Sequence, residues 1–327
     1  MVLMGGPSTE HEVSLMSGGV VIKNLNKNKY DVAPVTITKD KKWIIPHHKK
    51  TVDVGTAMTW MQGWVDVVFI ALHGKYGEDG TVQGLFDFAE ITYTGSGVLA
   101  SALAMDKVKT NDLLMSHKLK VPAYVEVTFH EWRKDHPAYV DRVGKKIGFP
   151  CVVKPNNGGS SVGVAIIKKQ TELSKAISNA FRFDTRVMVQ AFVAGDEVTC
   201  AVLDEGPAHG PVALPPTQII PKTATFFDYK AKYTKGASEE VTPPRLPTTI
   251  IKKIQNIAVQ THAIIGCKGF SRTDMMVRGN DIFVLEINTI PGMTETSLYP
   301  QAAAVAGILL PDLLDRIINA AFKKRVI

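Results

Sequence analysis

Residues 272–294 read RTDMMVRGNDIFVLEINTIPGMT, a pattern that predicts strands over Asp274–Val277 and Asp281–Ile287. Side chains alternate across a strand, so Arg272 and Asp274 share one face, as do Glu286 and Asn288. Two such strands side by side converge two carboxylates and an amide on one point. Solvent-facing residues of a half-buried sheet need no such explanation, but the flanks Met275-Met276-Val277 and Ile282-Phe283-Val284-Leu285 are apolar on both faces. A carboxylate buried among them without a cation is costly. Hard oxygen donors of this kind suit Mg²⁺ held together with phosphates. The loop Thr289-Ile290-Pro291-Gly292-Met293-Thr294 follows directly and by itself is a turn. Beside a metal and the cationic Arg272, the Gly292 amide becomes an oxyanion donor, because two donors aimed at one developing charge lower a barrier.

Upstream, residues 154–163 read KPNNGGSSVG, between expected strands at Cys151–Lys154 and Gly163–Lys168. Glycines and small hydroxyls let backbone N–H groups turn toward an anion, and Lys154 at the strand end adds a point charge. A Gly/Ser run alone is more often a flexible hairpin, and no Lys-Ser/Thr follows the glycines as a Walker A loop requires. The lysine tips the reading toward phosphate. A further strand at Arg186–Phe192 and helices at Lys107–Lys118 and Thr171–Phe181 make residues 106–195 an α+β unit. The last third adds a strand at Glu197–Leu203 and helices at Thr248–Ile265 and Pro311–Phe322. A polar stretch, Lys222–Pro244, has no clear period, as in functional lids or linkers.

The first hundred residues alternate apolar runs and amphipathic stretches: Met1–Met4, Val13–Leu25, Asp31–Thr38, Asp66–Leu72 and Thr81–Ala89. That rhythm predicts βαβ units and a mainly parallel sheet. Gly5-Gly6-Pro7-Ser8-Thr9-Glu10 after the first strand lacks the glycine spacing of a dinucleotide fingerprint, which disfavours a dehydrogenase. Glu10 is either a first-turn acid favoured by the helix dipole or a ligand contact at the carboxyl end of the sheet. Leu72-His73-Gly74 and Gly77-Glu78-Asp79-Gly80 fall on the same edge; a lone histidine is usually structural, and this one gains only from its neighbours.

The chain has 327 residues, 45% hydrophobic and 21% charged, which suits two or three globular domains and excludes disorder. Its longest apolar run, Ala302–Leu310, is too short for a bilayer, and no cation precedes Lys23, so neither a membrane span nor a secretory leader is expected. Cys151, Cys200 and Cys267 are widely spaced among apolar neighbours, as reduced thiols are, and the expected location is the cytoplasm. Lys plus Arg outnumber Asp plus Glu by 15 to 8 in residues 106–195, against 9 to 10 before and 14 to 13 after. The whole net charge of +7 therefore sits in the middle third. A polyanion such as a nucleoside triphosphate, a nucleic acid or plain solvation would each account for it.

Together these segments resemble the D-alanine–D-alanine ligases of the ATP-grasp superfamily, over nearly the whole chain. The resemblance is carried by Glu10-His11-Glu12-Val13-Ser14, Ala71-Leu72-His73-Gly74, Gly77-Glu78-Asp79-Gly80, Tyr93-Thr94-Gly95-Ser96-Gly97, Met105-Asp106-Lys107, Val153-Lys154-Pro155 with Gly159-Ser160-Ser161-Val162-Gly163, Asp228-Tyr229 with Lys232-Tyr233, and Asn288 through Leu298. It implies an α/β (α+β) ATP-grasp fold: an N-terminal, Rossmann-like substrate domain (1–105), a central subdomain (106–195) and a C-terminal catalytic subdomain (196–327), the last two sandwiching ATP. The implied reaction phosphorylates one D-alanine with ATP and couples the acyl phosphate to the amine of a second. By resemblance, Lys107 and Lys154 bind the α- and β-phosphates, Glu197 the ribose, and Lys232 the γ-phosphate, with Gln190, Ala191, Phe192, Val193 and Leu285 completing the ATP site. Asp274, Glu286 and Asn288 hold two Mg²⁺ (or Mn²⁺), and Arg272 with Gly292 stabilises the tetrahedral intermediate. Glu10 and Ser160 anchor the first ammonium, His73 lies near the reacting carboxylate, and Ser297 and Leu298 position the second substrate. The stretch around 222–244 resembles the ω-loop that closes over nucleotide, where Tyr233, rather than phenylalanine, goes with dipeptide rather than D-alanyl-D-lactate synthesis. Two positions depart from the pattern: Gln190-Ala191 where many relatives have Glu-Lys, and Phe227 where a tyrosine is frequent. A homodimer is implied, with no nucleic-acid partner; a D-Ala-D-lactate or D-Ala-D-Ser ligase and an inactive ATP-binding module are the alternatives.

Overall fold

Three sheets occupy consecutive stretches of the described residues, 1–46, 48, 50–222 and 238–323 of a computed structural model. In the first sheet β1 (Val2–Gly5) lies parallel to β2 (Pro34–Ile37), and β3 (Trp43–Ile44) joins β2 antiparallel. On the other side of β1 runs β4 (Phe69–Ile70), again parallel, so the expected mainly parallel sheet is present in the order β3-β2-β1-β4. Helices α1 (His11–Asn24), α2 (Val54–Gln62) and α3 (Thr81–Phe88) provide its crossovers and cover. Ser14 ties the sheet's carboxyl edge: its Oγ accepts from Gly5 N at 2.8 Å and donates to Ala71 O at 2.7 Å. Glu10 and His73 both sit on that edge.

α4 (Val98–Met105) and α5 (Lys107–Ser116) lead to the second sheet, in which β5 (Tyr124–Thr128), β6 (Cys151–Pro155), β7 (Ala165–Ile167) and β8 (Arg186–Ala191) pair antiparallel in the order β5-β8-β6-β7. Val125, Val127, Val153, Val187 and Val189 bury one face against α8 (Gln170–Ala180), with Trp132 of α6 (Phe129–Lys134) and Val143 of α7 (His136–Lys146). By alternation the other face carries Lys154 and Gln190, which are nonetheless buried.

The third sheet is antiparallel, in the order β12-β11-β9-β13-β14: β9 (Asp196–Asp204), β11 (Thr217–Pro221), β12 (Ser238–Val241), β13 (Phe270–Arg278) and β14 (Asp281–Asn288), with β10 (Pro211–Ala213) on β9. α9 (Thr248–Ile265) packs Ile250, Ile254 and Ala258 against Val198, Val202 and Val284, and Ala100, Ala104 and Leu114 of α4 and α5 join this core. The register of β13 on β14 shifts between Asp274 and Met275: Asp274 faces Glu286, but Met275 faces Val284. Leu285 is therefore an extra residue, a β-bulge.

α10 (Leu298–Val305) and α11 (Leu310–Phe322) end the described chain, yet they pack on the first sheet. Leu313, Leu314, Ile317 and Ile318 share one core with Leu3, Val21, Val35 and Phe69, and Tyr299 enters it with its hydroxyl donating to Val202 O at 3.0 Å. No helix among the described residues is long and apolar enough to cross a membrane.

Candidate active site

A cleft of about 370 Å³ opens between the second and third sheets. Every described residue assigned above to ATP lines it: Lys107, Lys154, Gln190, Ala191, Phe192, Val193, Glu197 and Leu285, together with Asp274 and Glu286. The bulge explains how consecutive residues serve one cavity. Strict alternation turns Leu285 away from the face of Glu286, and the extra residue lets both line the cleft.

The basic end of the cleft is assembled at a helix start. Asp106 caps α5 by accepting from Lys109 N at 2.9 Å, which fixes Lys107 at the first helical position. Lys107 Nζ donates to Gly158 O at 2.6 Å, and Val108 N donates to Asn156 Oδ1 at 2.9 Å, so the glycine-rich loop is docked on the helix. Arg186 of β8 pairs with both Asp106 and Glu126 beneath. Ser160 and Ser161 sit at positive φ, 50° and 57°, a region side-chain-bearing residues rarely adopt. Ser160 is held there by donating its Oγ proton to Glu10 Oε1 across the gap between the first two sheets. A Cβ at Gly159 would lie 2.9 Å from Glu10 Oε2, so a side chain there would push that carboxylate aside.

At the other wall Arg272 forks onto Asp274, with Nε to Oδ1 at 2.9 Å and Nη2 to Oδ2 at 3.0 Å. Asn288 Nδ2 adds a contact to Asp274 at 3.4 Å, and Thr199 Oγ1 of the neighbouring strand donates to Asp274 Oδ1 at 2.6 Å. Burial works against the guanidinium charge, but Asp274, Glu286 and Glu78 outweigh it and raise Arg272 above its ordinary value. Burial first, then the Glu10 charge, push the Glu78 carboxyl up to about 8, although Glu78 Oε2 accepts from Gly74 N at 2.6 Å. Burial lowers the His73 imidazole to about 4, opposed by the backbone at Ile290 and aided by Arg272. Its Nε2 lies 3.0 Å from Ser17 Oγ, which also accepts from Met293 N at 3.4 Å. Gly292 approaches Ser297 so closely that a Cβ would stand 2.8 Å from Ser297 Oγ, and that hydroxyl accepts from Thr294 N at 3.0 Å. Ser297 immediately precedes α10, whose first residue is Leu298.

The expected residues thus fall into four local groups: the cleft lining, the Glu10–Ser160 bridge, the Arg272–Asp274–Asn288 cluster and the Gly292–Ser297 turn. Glu10, His73, Ser160, Arg272, Asn288, Gly292, Ser297 and Leu298 do not line the cleft itself; His73 lines a separate cavity of about 480 Å³ beside the first sheet. Lys232, Tyr233 and Phe227 lie outside the described residues, as does most of the expected ω-loop. Thr199, Ser17, Met276 and Ile219 were not anticipated. Thr199 stands opposite Asp274 only because β9 pairs with β13, a pairing of residues 75 apart that no local pattern announces.

Two family models match the chain: D-ala D-ala ligase N-terminus over residues 1–61 and 53–96, and D-ala D-ala ligase C-terminus over residues 113–319. A D-alanine--D-alanine ligase of Syntrophobacter fumaroxidans is 44% identical over 323 residues, spanning 98% of this chain and 97% of that protein. Among solved structures, the VanG D-Ala:D-Ser ligase of Enterococcus faecalis is similar with a TM-score of 0.82 and 34% identity, covering 98% of each chain. The D-alanine--D-alanine ligase of Bacillus anthracis complexed with ATP gives a TM-score of 0.79 and 33% identity, covering 99% of this chain and 97% of that one.

Proposed function

The chain belongs to the D-alanine–D-alanine ligase family, and on that premise we propose how its cleft performs the ligation. It is an ATP-dependent enzyme of cell-wall precursor synthesis, with the ATP-grasp fold. A carboxylate oxygen of the first D-alanine attacks the γ-phosphorus of ATP, the bond to the bridging oxygen breaks, and ADP leaves. The amine of the second D-alanine then attacks the carbonyl carbon of the acyl phosphate and loses a proton. The tetrahedral centre collapses as its C–O bond to phosphate breaks. The observation that carries this reading is the cleft, lined by every described residue assigned to ATP and bounded by two carboxylates beside a half-buried arginine.

Lys107 and Lys154 hold the phosphates, and Glu197 the ribose. Glu10 and Ser160, already hydrogen-bonded to each other, take the first substrate's ammonium at the seam of the first two sheets. Arg272 and the Gly292 amide face the developing oxyanion. His73, neutral at working pH, orients the reacting carboxylate through hydrogen bonds rather than charge. Ser297 and Leu298 receive the second substrate; the γ-phosphate and second-substrate roles that the family resemblance gives Lys232 and Tyr233 fall on positions outside the described residues.

Among the described residues no three His, Cys, Asp or Glu cluster as a protein-only metal cage. Two carboxylates and an amide oxygen, from Asp274, Glu286 and Asn288, fit Mg²⁺ or Mn²⁺ that takes its remaining ligands from phosphate and water. Two such ions, when bound, supply charge neutralisation on the transferring phosphoryl group. We further propose the division at 1–105, 106–195 and 196–327, a homodimer, and a cytoplasmic location. Buried, unbridged Cys151, Cys200 and Cys267 support a reducing compartment.

The test is nucleoside diphosphate release with Mg²⁺ and ATP, with and without D-alanine, L-alanine, D-serine and D-lactate, with products identified by mass. D-Alanine-dependent release yielding the dipeptide is the expected result. Tight ATP binding with no turnover on any substrate overturns the ligase reading, and preferential use of D-serine or D-lactate as second substrate overturns D-alanyl-D-alanine as the product.

A further inference from the structure

Gln190 is a buried amide with unfinished hydrogen bonding. It is the last residue but one of β8, in register with Tyr124 on one side and Val152 on the other. It is 3% exposed, lines the cleft, and its Nε2 has no hydrogen-bond partner among the described residues. Turning the amide by 180° exchanges nitrogen and oxygen, so in either orientation one buried polar atom lacks a protein partner. The enclosed atom is unpaired whichever way the amide lies, so the surrounding protein favours neither orientation and a ligand in the cleft decides between them. Its neighbours along the lining are apolar: Val152, Phe192, Val193, Met276 and Leu285. A flat, largely apolar ring with a polar edge fits this end, while the lysines and carboxylates at the other end fit phosphates.

We propose that Gln190 reads the 6-position of a purine in both senses, so that this enzyme uses 6-oxopurine nucleoside triphosphates as well as ATP. The inference rests on the nucleotide reading of the cleft given above. An ionised carboxylate at this position accepts hydrogen bonds only, and so favours the 6-amino group and repels a 6-oxo group. A carboxamide offers an acceptor to the 6-amino group and, turned over, a donor to the 6-oxo group. The turn breaks no hydrogen bond made by the side chain to the described residues. The apolar walls hold either ring alike.

The experiment compares ATP with ITP, by D-alanine-dependent diphosphate release and by calorimetric binding, in the wild type, Gln190→Glu and Gln190→Met. The expected wild-type preference for ATP is under about a hundredfold, below the 10⁴–10⁵ of sites that leave a polar group facing the wrong partner. Gln190→Glu is expected to lower the ITP:ATP ratio at least tenfold, about 1.4 kcal/mol, because two acceptors then face each other. Gln190→Met is expected to weaken both nucleotides alike. A wild-type preference beyond a hundredfold, a ratio unmoved in Gln190→Glu, or a loss confined to ATP in Gln190→Met overturns the proposal. Should no nucleotide support D-alanine-dependent turnover, the ligase reading fails, while the two binding constants still decide the role of Gln190. If Gln190→Glu does not fold, Gln190→Met decides it alone.

Discussion

Arg272 keeps its charge at a half-buried position by giving its fork to Asp274, with Glu286 and Glu78 close enough to add to the field. Lysine presents a point charge without that fork. Arg272→Lys is therefore expected to lower kcat by about 10²–10³ while ADP binding changes little, since an oxyanion donor acts in the transition state; steady-state kinetics beside calorimetry check this, and a lost ADP affinity with kcat intact contradicts it. His73 gives a pH signature. Its folded value, about 4, lies below the ordinary 6.5, chiefly through burial, so its contribution is complete above pH 6.5 and is lost as pH falls toward 4. The linked free energy is about 3 kcal/mol, and His73→Gln is expected to flatten the melting temperature between pH 6.5 and 4. Parallel curves for the two proteins would contradict it. At this scale the sequence was most informative where chemistry is dense and local: Arg272, Asp274, Glu286 and Asn288 sit as alternation predicts. Glu78 lay in a quoted motif without a role, because its burial beside Glu10 depends on the fold of the edge.

Elements were legible in proportion to their apolar pattern. α9, with Ile250, Ile254 and Ala258 at helical spacing, falls at Thr248–Ile265 as expected, whereas residues 122–150 carried no expectation and hold β5, α6 and α7. α7 buries only Val143, too little for a periodic signal, and α6 is one and a half turns. The bulge at Leu285 was invisible, because one extra residue leaves the letters of a strand unchanged while redirecting its faces. The start of α5 bears the clearest single load at this scale. Asp106 caps the helix and meets Arg186, itself shared with Glu126; burial raises its carboxyl, but the Lys109 amide first, then Asn156 and Arg186, outweigh it and keep the carboxyl below its ordinary range. Asp106→Ala is expected to lower stability by about 2 kcal/mol, a cap of about 1 plus a half-buried pair left incomplete. Urea unfolding measures it, and a loss under 0.5 kcal/mol would leave the cap without that role.

Over the whole molecule, the first core is closed by residues from both ends of the described chain. Leu314 is fully buried and shares that core with Leu3 and Phe69. Leu314→Ala is expected to cost about 2–5 kcal/mol and to speed amide exchange in β1 and β4, far away in sequence. Faster exchange confined to α11 would show that the two ends do not unfold together. The parallel sheet was legible in its βαβ rhythm, but nothing in that rhythm reports that part of its cover, beside α1, α2 and α3, comes from helices more than two hundred residues later. That arrangement sets an order of events in the cell. At about 5–20 residues per second, a ribosome releases the first sheet roughly 10–40 seconds before α10 and α11 emerge to cover it. Through that interval the nascent chain displays the apolar surface that α10 and α11 later cover, so it should be a client of the factors that shield growing polypeptides.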